Sequence, residues 1–189
     1  MNDTSRFLTA LGRVLRPLFA SGSSRQADVA PRRRRTSTTP PVTTGEHEVS
    51  PGQAGDDATI EIDPARLRSV RLAYTPERDG EPDPGEVVWT WVPYEERDGR
   101  GKDRPVVIVA ASSAGDFLAV QLTSKAHDGD RDFVALGDGA WDSEGRPSWA
   151  RIDRVFRVRA GGMRREASSL DSRRYSLVAD ALGARYGWR

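Results

Sequence analysis

A run of four consecutive β-branched residues, 106–109, constrains the fold of this chain more than any other feature. Such side chains favour strands, and a run without apolar/polar alternation is typical of a buried strand. Pro105 stands at the entrance of this strand, where a residue that cannot donate to the ladder is tolerated, and it keeps Arg104 extended. We therefore expect Arg104 to present its guanidinium in a fixed direction. The alternative is a surface arginine paired with a nearby acid such as Asp103.

Turn-separated segments of strand-like composition surround this run. They cover residues 86–94, the Arg-Pro strand, 116–124, 131–137 and 148–158, and a short strand or helix is expected after residue 58, with Asp63-Pro64 as a helix start. A C-terminal helix follows, capped by Asp171 or Ser172. Its predicted apolar face consists of Leu170, Tyr175, Leu177, Val178, Ala181 and Leu182. This order predicts a mainly β (α+β) domain, a small and strongly bent barrel or sandwich.

The first part of the chain has a different composition. Residues 1–19 have the apolar stripe of an amphipathic helix. Such a helix would contact a membrane surface through residues 5–19, dock on protein or stay partly unfolded. Residues 20–57 are rich in Ser, Thr, Pro, Gly and charge, which predicts a disordered linker. We therefore divide the chain into a possible helix over 1–19, a linker over 20–57, an extension over 58–83 and a domain over 84–189.

Charge and composition exclude several classes of protein. The chain has no cysteine and only two histidines, which excludes disulfides, thiolate metal sites and a histidine-rich metal centre. Residues 56–145 carry ten basic and twenty acidic side chains, whereas residues 146–189 carry eleven arginines and four acids. A uniformly basic nucleic-acid binder is therefore excluded, and any RNA or DNA contact must be focused on a few arginines.

Four pieces in sequence, GEVVWTWV, DRPVVIVA, LAVQLTS and ARIDRVFRV, precede the C-terminal helix. In this order they resemble the MazF/PemK toxin family, the ribonucleases of type II toxin–antitoxin systems, over residues 84–188. The resemblance implies an SH3-like barrel of five to seven strands, a cytoplasmic homodimer and a cognate antitoxin protein. It also implies cleavage of single-stranded RNA by 2′-hydroxyl attack without metal or other cofactor.

The same resemblance assigns residues. Arg104, Thr123, Arg151 and Asp153 match catalytic positions, with Glu86 and Ser124 at substrate-binding positions. From the residues themselves, Arg104 can fork onto phosphate oxygens and Thr123 can donate to the same phosphate. Arg151 and Asp153 suit either a base with a stabilising cation or a structural ion pair.

The chain also departs from the family pattern. Some members have a histidine in the loop before Arg-Pro, and this chain has none, so Lys125 or His127 is a candidate substitute in substrate binding. Trp141, in a Gly-rich loop, would stack on a base or anchor the loop. Core packing is expected for Trp89 and Trp91, which share one strand face.

Two alternatives stay open at the level of the sequence. The first is a non-catalytic SH3-like module that binds RNA or a protein segment and is tethered by its N-terminal tail. The second is a membrane-associated adaptor that depends on residues 5–19. No sequence feature predicts the RNA motif that the enzyme would cleave, since base choice depends on loop shape.

Overall fold

The computed structural model of the protein describes residues 49–77, 79–112 and 115–189. The helix predicted over residues 1–19 and its membrane contact lie outside the described residues, as does the part up to residue 48 of the linker predicted over residues 20–57. Within the described ranges, no helix has the length and apolar character needed to cross a membrane.

The described residues form an antiparallel β structure with one C-terminal α-helix. The strands are β1 (Ile60–Ile62), β2 (Glu86–Pro93), β3 (Gly101–Ala111), β4 (Asp116–Thr123), β5 (Phe133–Gly137), β6 (Ser148–Arg151), β7 (Val155–Arg159) and β8 (Arg164–Ser169), and the helix is α1 (Ser172–Tyr186). Short 3-10 turns occupy Pro64–Arg66 and Ala160–Gly162. Six strands follow the order β1-β7-β4-β3-β2-β8, and β6 joins β5 to the end of β4.

The mainly β fold with a C-terminal helix is confirmed, and the strand count in the described residues is eight instead of five to seven. The strand expected over residues 148–158 is interrupted between β6 and β7, which pair with opposite ends of β4. The sequence analysis missed β8. Among the described strands it pairs with β2 alone, and most of its side chains are exposed, so it lacks the apolar pattern by which a buried strand is recognised.

The β-branched run lies in β3, as predicted, and separates two apolar clusters. Val107 and Val109 belong to the cluster beneath α1, whereas Val106 and Ile108 belong to the cluster on the opposite face. All four side chains have no exposed surface. Successive strand residues point to opposite faces, so a strand with a core on each side needs an unbroken apolar run.

The C-terminal helix closes one of these clusters. Asp171 caps α1 by accepting from the backbone N–H of Arg174 at 2.8 Å, and Gly187 ends it in the left-handed conformation. Tyr175 is buried and donates its hydroxyl to the carbonyl of Val109 at 2.7 Å, and burial raises its pKa to about 12. The predicted apolar face was wrong at Leu177, which is 45% exposed.

The segment before the domain is part of the folded unit from about residue 51. The carbonyl of Pro51 accepts from the backbone N–H of Trp91 at 2.9 Å, and β1 pairs with β7. Gly52 has a φ of +78°, and a Cβ there would lie 2.3 Å from the Thr90 hydroxyl oxygen. The linker expected up to residue 57 therefore ends earlier. The composition of this segment did not indicate these contacts, because backbone groups make them.

Limited proteolysis checks this boundary. Because residues 51–59 make backbone and hydroxyl contacts with β2, we expect a resistant fragment beginning near residue 50. Mass spectrometry of the digest would locate the first residue. A fragment beginning near residue 58, or one retaining residues 32–35, would contradict this expectation.

Candidate nucleic-acid interface and active site

β3 begins at Gly101, so Arg104 and Pro105 lie within the strand and not at its entrance as expected, just before its pairing with β4 begins at Val106. Arg104 helps to line two adjoining cavities of about 450 and 350 Å³. Its backbone is opposite Thr90 of β2, and the paired strand fixes the direction of the side chain. The Arg104 side chain makes no hydrogen bond or ion pair with any described residue. Asp103 instead accepts from Arg164 Nη1 at 3.0 Å. The alternative of an Arg104–Asp103 pair is therefore wrong, and the Arg104 guanidinium is available to a ligand.

Thr123 and Ser124 line the smaller, second cavity together with Arg104. Thr123 ends β4 opposite Trp149, and its hydroxyl oxygen accepts from the backbone N–H of Lys125 at 3.2 Å. This contact orients the hydroxyl and leaves its hydrogen for an acceptor in the cavity. The structure thus brings together a cation and a neutral donor at one cavity wall.

Arg151 lines the larger, first cavity with Arg104. Its Nε and Nη2 donate to the two oxygens of Asp153 at 2.7 and 2.9 Å, and its Nη1 donates to Glu95 Oε1 at 2.5 Å. The bond with Asp153, followed by that with Glu95, raises the pKa of Arg151. The predicted pair of Arg151 and Asp153 is therefore formed, although Asp153 lies just beyond β6 and not within a continuous strand.

Sequence reasoning missed a second ion pair in the wall of the first cavity. Arg154 is only 7% exposed, and its Nη2 donates to Glu61 Oε2 at 2.6 Å and to the carbonyl of Pro93 at 2.9 Å. The bond from Arg154 lowers the pKa of Glu61. Glu61 belongs to β1, 93 residues away in sequence, and no local pattern could have indicated the partner.

Trp141 anchors the loop that forms one wall of the second cavity. It is 6% exposed and donates its indole N–H to Ser148 Oγ at 3.1 Å. The ring also covers Gly139, where an added Cβ would lie 2.1 Å from it. Of the two interpretations open at the sequence level, these contacts favour loop anchoring, because little of the ring is left for a base.

Trp89 and Trp91 share one face of β2, as predicted, but the expectation of core packing was wrong. Both are half-buried, because Val88 and Val92 occupy the alternate positions that enter the core. Trp89 lines the second cavity, where the Arg164 guanidinium lies 5.5 Å from its ring. A partly exposed indole beside Arg104 is a surface on which a base can stack.

Three other residues predicted to bind substrate line neither cavity. Glu86 pairs with Arg165 Nη2 at 2.8 Å beside a separate cavity. His127 stacks on Phe133 at 3.5 Å, with its Nδ1 3.6 Å from Asp130. Lys125 is exposed on the loop after β4. The structure therefore brings neither His127 nor Lys125 into the cavities beside Arg104.

The protein is a small antiparallel β domain, and arginines line its first and second cavities. Arginine-lined cavities of this kind bind phosphate groups. A family profile described as PemK-like, MazF-like toxin of type II toxin-antitoxin system matches residues 83–185. The chain belongs to this family.

Solved structures that are similar to this chain include MazF proteins. A MazE–MazF complex (Form-II) from Deinococcus radiodurans is 19% identical over 56% of this chain and 96% of that one, with a TM-score of 0.43. MazF (Form-I) from the same organism is 21% identical over 57% and 97%, with a TM-score of 0.43. The Mycobacterium tuberculosis toxin MazF-mt6 is 16% identical over 54% and 98%, with a TM-score of 0.39. No curated protein matches the chain significantly.

Proposed function

We propose that the protein is a metal-independent endoribonuclease that cleaves single-stranded RNA as the toxin of a toxin–antitoxin pair. Toxins of the family to which the chain belongs are generally endoribonucleases. The observation that carries the proposal is the placement of Arg104, whose side chain makes no hydrogen bond or ion pair with the described residues and lines two cavities. An arginine held by a strand pair and left without an internal partner is suited to a phosphate.

In the proposed reaction, the RNA 2′-oxygen loses its proton to a base and attacks the adjacent phosphorus, and the 5′-oxygen leaves and takes up a proton from water. Arg104 donates to the phosphate oxygens, on which negative charge develops, and the Thr123 hydroxyl donates to the same phosphate. Arg151 supplies a second cation. Both oxygens of Asp153 accept from Arg151, which supports a role in orienting it, and Asp153 is also a carboxylate beside that cation that could accept the 2′-hydroxyl proton.

The remaining predicted residues have different roles in this proposal. Ser124, at the rim of the second cavity, and Lys125, exposed beside it, would contact the RNA backbone. His127 would contact the RNA outside the two cavities. The contacts of Glu86 with Arg165 and of Trp141 with Ser148 support structural roles instead of direct substrate binding.

Product analysis tests the chemistry. We expect the purified protein to cleave a mixed RNA pool in EDTA and to leave a 2′,3′-cyclic phosphate and a 5′-hydroxyl, the products of 2′-hydroxyl attack. A substrate with a 2′-deoxy group at the cut site should be inert. A requirement for magnesium or products with 5′-phosphates would contradict the mechanism. Binding without cleavage would favour the non-catalytic module.

The proposal extends to partners. We propose a homodimer, as cyclic two-fold assemblies are the commonest, a cognate antitoxin protein that neutralises the toxin, and action in the cytoplasm, where RNA is accessible. Sedimentation of residues 49–189 at micromolar concentration should show a dimer. A strictly monomeric species that still cleaves RNA would contradict the assembly alone.

A further inference from the structure

We propose that the Glu95 carboxylate occupies, on Arg151, the position of one RNA phosphate, and that RNA displaces it on entering the first cavity. This inference rests on the proposed function and deepens it. It assigns a phosphate-binding subsite to Arg151 Nη1. The Glu95 carboxylate competes with RNA for this subsite.

The first step is that two carboxylates surround the Arg151 guanidinium. Its Nε and Nη2 donate to Asp153, and its Nη1 donates to Glu95, so each nitrogen already has a carboxylate partner. Two negative charges beside one positive charge repel a further anion, so a phosphate binds this guanidinium favourably only when one of the two carboxylates leaves. Arg104, in the same cavity, needs no such exchange, because it has no partner among the described residues.

The second step identifies the carboxylate that leaves. Asp153 makes two bonds with Arg151, and both side chains are about one-fifth exposed, at 19% and 20%. Glu95 makes one bond and is 63% exposed. A single exposed contact is the weaker of the two, because solvent screens it and a long side chain must be immobilised to form it. Glu95 is therefore the partner that exchanges.

The third step is that the exchange needs only a side-chain rotation. Glu95 lies in the β2–β3 loop (residues 94–100), which is closed by backbone bonds from Tyr94 N–H to the Arg100 carbonyl at 3.0 Å and from Arg97 N–H to the Tyr94 carbonyl at 3.2 Å. These bonds do not involve the Glu95 side chain. The carboxylate can leave Arg151 while the loop keeps its shape.

The fourth step concerns the chemistry of the replacement. A phosphodiester carries one negative charge and accepts from a guanidinium, as a carboxylate does. The hydrogen bond from Arg151 lowers the pKa of Glu95, so the competitor is ionised at neutral pH. A phosphate that enters this cavity can contact Arg104 as well as Arg151. The Glu95 carboxylate is bonded to Arg151 and makes no bond with Arg104.

The experiment compares two single-charge variants. Glu95→Gln removes the competing charge, and Glu96→Gln removes an equal charge from the same cavity wall at a residue that makes no bond with Arg151. Binding of a short fluorescein-labelled 2′-O-methyl RNA of mixed sequence, which cannot be cleaved, is followed by anisotropy. We expect Glu95→Gln to bind about two- to fivefold more tightly, the range of one exposed ion pair, and Glu96→Gln to gain less.

Equal gains in both variants would show a net-charge effect only and would overturn the subsite, as would an unchanged or weaker affinity of Glu95→Gln. Loss of RNA cleavage in Glu95→Gln would also overturn it, because Glu95 would then take part in the chemistry. Thermal melting shows that both variants are folded. A wild-type chain that binds the probe but cleaves no RNA would remove the proposed activity and leave the subsite intact. Absence of probe binding would overturn both.

Discussion

Replacing Arg104 with alanine should reduce RNA cleavage by about a hundredfold or more, the usual loss when a donor to transition-state charge is removed. The effect should be large because Arg104 lines both cavities and is not neutralised by any described residue. Thr123→Ala should lose less, because a hydroxyl supplies one neutral donor. Initial rates on a single RNA substrate, measured at several concentrations, separate the loss in kcat from the change in KM.

Two further variants make this result specific. Arg104→Lys keeps the positive charge but cannot make the two parallel bonds of a guanidinium, so we expect it to recover only part of the activity. Arg100→Ala removes an arginine of the β2–β3 loop that pairs with Asp98 and lines neither cavity, and it should cleave RNA nearly as wild type does. A folded Arg104→Ala protein with wild-type activity would contradict the proposed mechanism.

The parts of the fold that could be predicted from sequence are those in which a local pattern indicates which side chains are buried. The run in β3 and the capped helix α1 show such patterns, and both were found. β8 was missed because an edge strand of exposed side chains has no apolar periodicity. The break between β6 and β7 was missed because Ile152 is buried, so the apolar pattern continues through a bend.

The candidate site also contains features that a local pattern predicts and features that no local pattern predicts. The direction of Arg104 follows from a local rule about the residue before proline, so the sequence indicated it. The ion pair of Arg154 with Glu61 joins residues 93 positions apart, and the burial of Trp141 depends on its packing against Gly139 and Ser148. Interactions of this kind depend on tertiary packing, which has no local signal in a single sequence.

Replacing Glu61 with alanine should lower the free energy of unfolding by about 2 kcal/mol, because it leaves the buried Arg154 guanidinium without its carboxylate. The loss should be below the 3–5 kcal/mol of a fully buried pair, since Glu61 is 18% exposed and Arg154 keeps the Pro93 carbonyl. Glu61 lies outside the region matched by the family profile. A loss measured by urea unfolding would therefore show that the extension stabilises the folded domain.

The pH dependence of this loss has a defined sign. Because the folded-state pKa of Glu61 is lowered from its ordinary value of 4.5, its stabilisation is complete above that pH and is lost as the pH falls through the folded value. The difference in unfolding free energy between wild type and Glu61→Gln should therefore be full at pH 7 and shrink below about pH 4.

The double variant Glu61→Ala/Arg154→Met tests whether the two residues act as a pair. No buried charge is left unpaired in it, so its loss of unfolding free energy should be smaller than the sum of the two single losses. Additive losses would mean that the two residues act independently, and Arg154 would then be held by the Pro93 carbonyl alone.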